Sequence, residues 1–281
     1  MEAILRTYFK LLRVPDWGGY FLMGLLGFVL SYGFLFPLSD IFLFFSMLVL
    51  FLGLGFSVNE CFDLEEDKYN KEKTNILLKK QIGFREALIF SIVLGVLGLA
   101  LSIRFGLKVF LFCLMGLLIG FFYSAKPFRF KSRPFLDLIS HGLFAGVFLF
   151  LLPFLVFNAK ITLIHYLIAF SVFYLSLSLE LRNHLEDYEF DKKAGINTSV
   201  CFLGYNKSEK LLRYLAFLYP LAFLPIFLLA PRIYFFLFLI LSAAFLLFFS
   251  LRKNYTMLRK YKIMDIYSIL SFVLISISLI L

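Results

Sequence analysis

The sequence predicts an all-α integral membrane protein with nine transmembrane helices, and three observations predict it. Of 281 residues, 62% are hydrophobic and 16% charged, against about 45–50% and about 25% in a soluble domain. Phe alone contributes 40 residues, more than a water-facing surface takes without adhesive patches. The apolar residues also fall in runs near the roughly 20 that a spanning helix needs.

The elements follow in order. The N-terminal stretch "MEAILRTYFKLLRVPDW" spaces Arg6, Lys10 and Arg13 along a short amphipathic segment, which suits a helix lying on the membrane surface. No small-residue cleavage site follows a short apolar region, so a removable signal peptide is not expected. Spans are predicted at 17–37, 41–62, 87–104, 108–125, 136–157, 162–182, 211–230, 233–251 and 263–281. The breaks near Gly106 and Pro231 separate adjacent spans with very short connections. The whole chain reads as a single transmembrane domain, with related halves at roughly 17–125 and 136–251 and a ninth helix at 263–281. Cys61, Cys113 and Cys201 lie far apart with no CxxC spacing, which suggests neither a disulfide framework nor a zinc site.

Charge sets the orientation. With the N-terminus cytoplasmic and the C-terminus outside, 24 of the 28 Lys and Arg fall on cytoplasmic segments. Only Arg104, Lys108, Lys160 and Arg232 fall on the other face. That is the bias of the positive-inside rule. It accounts for the net charge of +10 without nucleic acid as a partner.

Two acidic stretches stand out against this topology, "NECFDLEEDKYNKEKTN" (59–75) and "NHLEDYEFDKKAGINTS" (183–199). Both follow predicted cytoplasm-directed spans. They share one spacing, Asn59-x3-Asp63-x3-Asp67 and Asn183-x3-Asp187-x3-Asp191, offset by 124 residues. Residues four apart share a helix face and climb about 6 Å per step, so each set forms a stripe of oxygen ligands. Two such stripes repel unless a cation lies between them, and hard oxygen donors suit Mg²⁺, which is commonly shared with substrate phosphates. Lys68, Lys71, Lys73, Lys79, Lys80 and Arg85 follow the first motif, and Lys192 and Lys193 the second. Carboxylates for metal and cations for phosphate oxygens read as a diphosphate site at a membrane boundary. The bland alternative is that these charges merely pair at headgroup level, and identical spacing in both motifs argues against it. Glu65 and Glu66 are expected to face water or Lys.

These motifs resemble those of the UbiA superfamily of intramembrane prenyltransferases. A third element agrees: in "FFYSAKPFRFKSRPFLDLISH", Tyr123, Ser124, Pro127, Arg129 and Lys131 are similar to a Tyr-Ser-x-x-Pro-x-Arg-x-Lys segment of that family. The resemblance covers nearly the whole chain. It implies nine helices around a central cavity open sideways to lipid and capped by cytoplasmic loops. It also implies Mg²⁺ held by Asn59, Asp63, Asp67, Asn183, Asp187 and Asp191, with Asp63, Asp67, Asp187 and Asp191 serving catalysis. Lys73, Tyr123, Arg129, Lys131 and Lys192 would contact the prenyl diphosphate. The implied reaction moves a polyprenyl group, from geranylgeranyl diphosphate or a relative, to a lipophilic acceptor through an allylic cation.

Departures bear on the acceptor. Position 60 is Glu where many members carry Asp. "KTNI" stands at 73–76 where aromatic, haem and glycerol-phosphate prenylating members commonly have Arg-Pro. "KTNIL", "RPFLDLISH" and "LRNHLEDYEFDKKAGINTS" resemble archaeal-type members, including lycopene elongases.

The allylic cation needs shelter from water and could be steadied by aromatic faces. Tyr123 and Tyr174 are candidates, although most of the Phe and Tyr residues are expected to face lipid or pack. His165 reads as interfacial, His141 as packed or hydrogen-bonded, and His184 lies inside the second motif. The rival from another class is an ion-coupled transporter with an acidic cation site at the cytoplasmic face. Clustering of the acids at one membrane face argues against it, and Glu180 comes closest to an exception. A CDP-alcohol phosphotransferase is disfavoured because its single Asp-Gly-x2-Ala-Arg-type motif is absent.

Overall fold

The structure is a computed structural model describing residues 2–70, 75–251 and 257–280, and among these every regular element is helical. Helix α1 (Glu2–Leu12) carries the basic N-terminal stretch. A 3₁₀ turn (Val14–Trp17) leads into α2 (Gly18–Leu30), and α3 (Leu38–Phe62) ends at the first acidic motif, followed by the short α4 (Leu64–Asp67). Helices α5 (Phe84–Ser102) and α6 (Leu107–Ser124) form the next pair. Helix α7 (Leu136–His141) runs through a π-helical stretch (Gly142–Phe148) into α8 (Leu149–Val156). Then come α9 (Leu163–Lys193), α10 (Ser199–Leu203), α11 (Tyr205–Leu229), α12 (Arg232–Leu251) and α13 (Met257–Ile280).

Among the described residues, eight helical segments are long and apolar enough to cross a membrane. The first predicted span, 17–37, is where the count differs from nine. It forms a 13-residue helix, α2, and the chain then turns at Tyr32 in left-handed conformation (φ 54°) before another 3₁₀ turn. The run carries four glycines within α2, at 18, 19, 24 and 27, which lower its helix propensity, and the turn at Tyr32 ends it.

The two short breaks are present. Gly106 adopts φ 93° between α5 and α6, a conformation that favours glycine. Ala230 is extended ahead of Pro231, where the ring disfavours the helical region for the preceding residue.

Two apolar cores stabilise the bundle. One joins α2, α3, α6 and α8 through Phe28, Phe44, Leu48 and Leu152. The other joins α9, α11, α12 and α13 through Val172, Phe223, Phe245 and Tyr267. Helices α2 and α8 approach so closely that a Cβ on Gly27 would lie 2.0 Å from the Phe150 carbonyl oxygen. Large apolar side chains face outward on α5 and α12, among them Leu97, Phe236 and Ile240, as a lipid-facing surface requires.

Candidate active site

The first motif straddles a helix end. α3 stops at Phe62, yet the Asp63 N–H still donates to Asn59 O (2.9 Å) and the Asp67 N–H to Asp63 O (2.9 Å). The one-turn spacing of Asn59, Asp63 and Asp67 therefore persists, but as a turn at the rim and not as one straight stripe. The second motif lies wholly within α9, whose 31 residues run unbroken past Asp191. Helix α4 packs against α9, so the two motifs meet at one end of the bundle.

A basic loop inserts between them. Lys131 Nζ donates to Asp63 Oδ2 (2.7 Å) and pairs with Glu66 Oε1 (3.2 Å). Arg129 spans both oxygens of Glu66 (2.9 Å each) and also donates to Phe62 O (3.2 Å). Burial alone would discharge the Lys131 ammonium, but the carboxylates of Asp63, Glu66 and Asp191 hold its pKa well above the ordinary lysine value. Desolvation pushes the Glu66 carboxyl up, and Lys131 and Arg129 oppose that. Lys131 thus lies in the field of both motifs.

The other predicted residues distribute as follows. Asn59 Oδ1 accepts from Ser124 Oγ. Asp67 Oδ2 accepts from Asn75 Nδ2 (2.9 Å), and Asn75 also donates to Glu60 O. The Glu60 carboxylate accepts the Ile76 N–H (2.9 Å), so the residue that departs from the family pattern helps fix the returning loop. Asn183 Nδ2 donates to Glu180 Oε2 (3.1 Å). Asp187 is half-buried and Asp191 is buried. Lys192 lies over the Tyr188 ring (5.7 Å to the centroid). Tyr123 is buried and donates to Glu180 Oε1. Lys73 lies outside the described residues.

Three residues missed or set aside in the sequence prove central. Glu66 points inward onto Lys131 and Arg129, whereas Glu65 pairs with Lys68 at the surface as expected (3.0 Å). Asp137 is fully buried, accepts the Ser199 N–H (2.6 Å) and faces His184 Nε2 (3.5 Å). Glu180 gathers Tyr123, His141, Asn183 and His184. An acid one residue inside an apolar run was the available signal for Asp137. His165 accepts the Thr162 N–H at Nδ1 (3.0 Å) and so caps α9. Tyr174 donates to Leu215 O (2.8 Å) and stacks on Tyr219, which gives it a packing role.

The donor set suits a hard divalent cation. Asp63 Oδ1 and Asp191 Oδ2, one from each motif, are buried oxygens without a hydrogen-bond partner. Such oxygens are costly unless a cation meets them. Among the described residues, no three His, Cys, Asp or Glu side chains converge closely enough to cage a metal unaided. Beside Glu60 and Asp67 opens a cavity of about 550 Å³, rimmed by Arg6, Lys10, Arg13 and Lys79.

An all-helical membrane bundle whose two acidic motifs meet beside a buried lysine defines an intramembrane enzyme that handles an anionic substrate. The chain belongs to the UbiA prenyltransferase family, whose model matches residues 20–269, and it is a UbiA-type prenyltransferase. It is 27% identical over 210 residues to the digeranylgeranylglyceryl phosphate synthase of Pyrococcus horikoshii, covering 73% of this chain and 72% of that one. It is 29% identical over 165 residues to the lycopene elongase/hydratase of Haloarcula japonica, covering 53% and 49%. The structure matches that of a UbiA homolog from Archaeoglobus fulgidus bound to GPP and Mg²⁺ with TM-score 0.73 and 26% identity, over 98% of this chain and 99% of that one.

Proposed function

We propose that this protein transfers the polyprenyl group of an allylic prenyl diphosphate, such as geranylgeranyl diphosphate, to a lipophilic acceptor in a Mg²⁺-dependent reaction through an allylic cation. The observation that carries this reading is Lys131, a buried ammonium paired with Asp63 and Glu66 and lying in the field of Asp191. Asp63, Asp67, Asp187 and Asp191 would hold the metal, with Asn59 and Asn183 as neutral oxygen donors. The chemistry a bound Mg²⁺ supplies is neutralisation of charge on the diphosphate leaving group. Lys131 and Arg129 exchange part of their carboxylate pairing for diphosphate oxygens, a preorganised electrostatic contribution. Lys192 and, outside the described residues, Lys73 are further phosphate contacts. Tyr123 lies against the prenyl end, and the apolar bundle keeps water from the cation. Charge bias supports an N-terminus inside, a C-terminus outside and a cytoplasm-facing site.

For the acceptor, we favour a lipid bearing a phosphate on the cavity's basic groups, while "KTNI" at 73–76 departs from the Arg-Pro of glycerol-phosphate prenylating members. The cavity of about 550 Å³ is lined by Arg6, Lys10, Arg13 and Lys79 together with Asp16, Glu60 and Asp67, and Arg13 is paired with Asp16 (2.7 Å), so its excess of basic groups for an anionic head is small. A transporter reading gains nothing from a lysine that neutralises the acids. The test compares lipids, by mass spectrometry, from cells expressing the parent protein and Asp63→Ala. An ether lipid, a prenylated quinone precursor and an elongated carotenoid differ in mass. Identical lipid profiles, or full diphosphate release by the purified protein in chelator, would refute the proposal.

A further inference from the structure

Behind the acidic motifs lies a second polar assembly, in which only Tyr123 has been given a part in binding the prenyl diphosphate. Tyr20 of α2, Tyr123 of α6, Asp137 and His141 of α7, and Glu180 and His184 of α9 meet inside the apolar bundle. Glu180 is 6% exposed, His141 6% and His184 2%. Ionisable side chains at membrane depth are expensive and mark function by default. The π-helical turn that follows His141 is also a feature that recurs at functional sites.

The geometry around His141 is that of a proton acceptor. Ser176 Oγ lies 3.3 Å from the His141 carbonyl oxygen and 3.1 Å from His141 Nδ1. In the tautomer with the proton on Nδ1, Ser176 Oγ accepts that proton while donating to the carbonyl, and Nε2 keeps its lone pair. Nε2 lies 3.3 Å from the half-buried Tyr20 hydroxyl and 3.4 Å from Glu180 Oε2. A neutral ring accepts from Tyr20, and a protonated ring donates to Glu180. The counter-ion for the imidazolium is thus already in place. Glu180 is itself oriented by Tyr123 and Asn183. The other ionisable groups facing this site are His184, 3.3 Å from Glu180 Oε1, and Asp137 beyond it. Arg13 and Asp16 reach Tyr20 through space.

We propose that His141, reached through the Tyr20 hydroxyl, accepts the proton that the acceptor loses on prenylation, with Glu180 as the positioning residue. This rests on the prenyl-transfer reading above. The C1–O bond of the allylic diphosphate breaks with its electron pair on diphosphate, and an acceptor electron pair forms the new bond to C1. The acceptor proton passes to the Tyr20 oxygen as the Tyr20 proton moves to His141 Nε2. The imidazolium later loses that proton to water.

The test measures two quantities on the purified protein with geranylgeranyl diphosphate and Mg²⁺. One is diphosphate release without acceptor, and the other is prenylated product with a membrane lipid extract. A positioned general base contributes about 10²–10⁴-fold. His141→Gln and Tyr20→Phe are therefore expected to lower transfer about 100-fold more than they lower release. His141→Gln is also expected to remove the rise of transfer with pH. Should His141→Gln not fold, Tyr20→Phe, which deletes one oxygen, decides by itself. Equal losses of release and transfer in Tyr20→Phe would assign the cluster a packing role and overturn the proposal, as would transfer at the parent rate. A parent protein that neither releases diphosphate nor makes product fails the prenyl-transfer reading instead, which is a distinguishable result.

Discussion

Replacing Lys131 by Met keeps much of the side chain's length and removes only its charge. Lys131 is 9% exposed and holds Asp63 at 2.7 Å and Glu66 at 3.2 Å. Removing one partner of a buried ion pair costs about 3–5 kcal/mol, because the remaining charge is left uncompensated. Arg129 still spans Glu66, so the lower end, about 3 kcal/mol, applies. For a chain somewhat above 250 residues this corresponds to a Tm fall of about 6–12 °C, measurable by thermal unfolding in detergent micelles. Two controls bear on the reasoning. The Lys131 pKa is raised in the folded protein, so the stability it contributes is full below the unfolded value of about 10.4 and lost only above it. The gap between parent and variant is therefore flat from pH 6 to 9. Added Mg²⁺ should raise the Tm of the variant more than that of the parent, since the Asp63 carboxylate has lost its cation. An unchanged Tm, or a gap that Mg²⁺ leaves as wide as before, would refute this account of Lys131 as the charge between the motifs.

Other expectations concern single sites. Asp63→Ala and Asp187→Ala should each abolish Mg²⁺-dependent diphosphate release while circular dichroism shows the helices intact. Gly27→Ala should force α2 from α8, because a Cβ there meets a backbone oxygen at 2.0 Å; overpacking of this kind costs about 1–3 kcal/mol, read as a lower Tm although the substitution removes no hydrogen-bonding group. Glu60→Gln keeps an acceptor for the Ile76 N–H, so it should retain most activity, whereas Glu60→Ala should loosen the returning loop and lower both Tm and activity.

The architecture was legible wherever physics is local. Apolar runs fixed the spans, and Gly106 and Pro231 marked their breaks because each acts through its own backbone. The first span is shorter than its apolar run, since hydropathy does not register the turn at Tyr32 that ends its helix. Within the site, equal four-residue spacing suggested equal stripes, yet the first motif turns at Asp63 and the second stays straight in α9. That difference arises from packing of the loop through Asn75 and Lys131, partners 8 and 68 residues away from the acids they bind. Glu66, one place before a motif residue, reads as surface charge until Arg129 is placed against it. Asp137 and His141 gain meaning only from α9 across the bundle.

The length of α9 has a consequence for depth. Its 31 residues extend about 46 Å at about 1.5 Å each, against a hydrocarbon thickness of about 30 Å. For an upright helix rising from Leu163, the hydrocarbon ends near residue 183. Glu180 and His141 then lie just beneath the lipid boundary, and Asp187 and Asp191 stand beyond it among the headgroups. One rigid rod therefore sets the depth of both polar groups, with Asp187 and Asp191 about 10–16 Å further along its axis than Glu180.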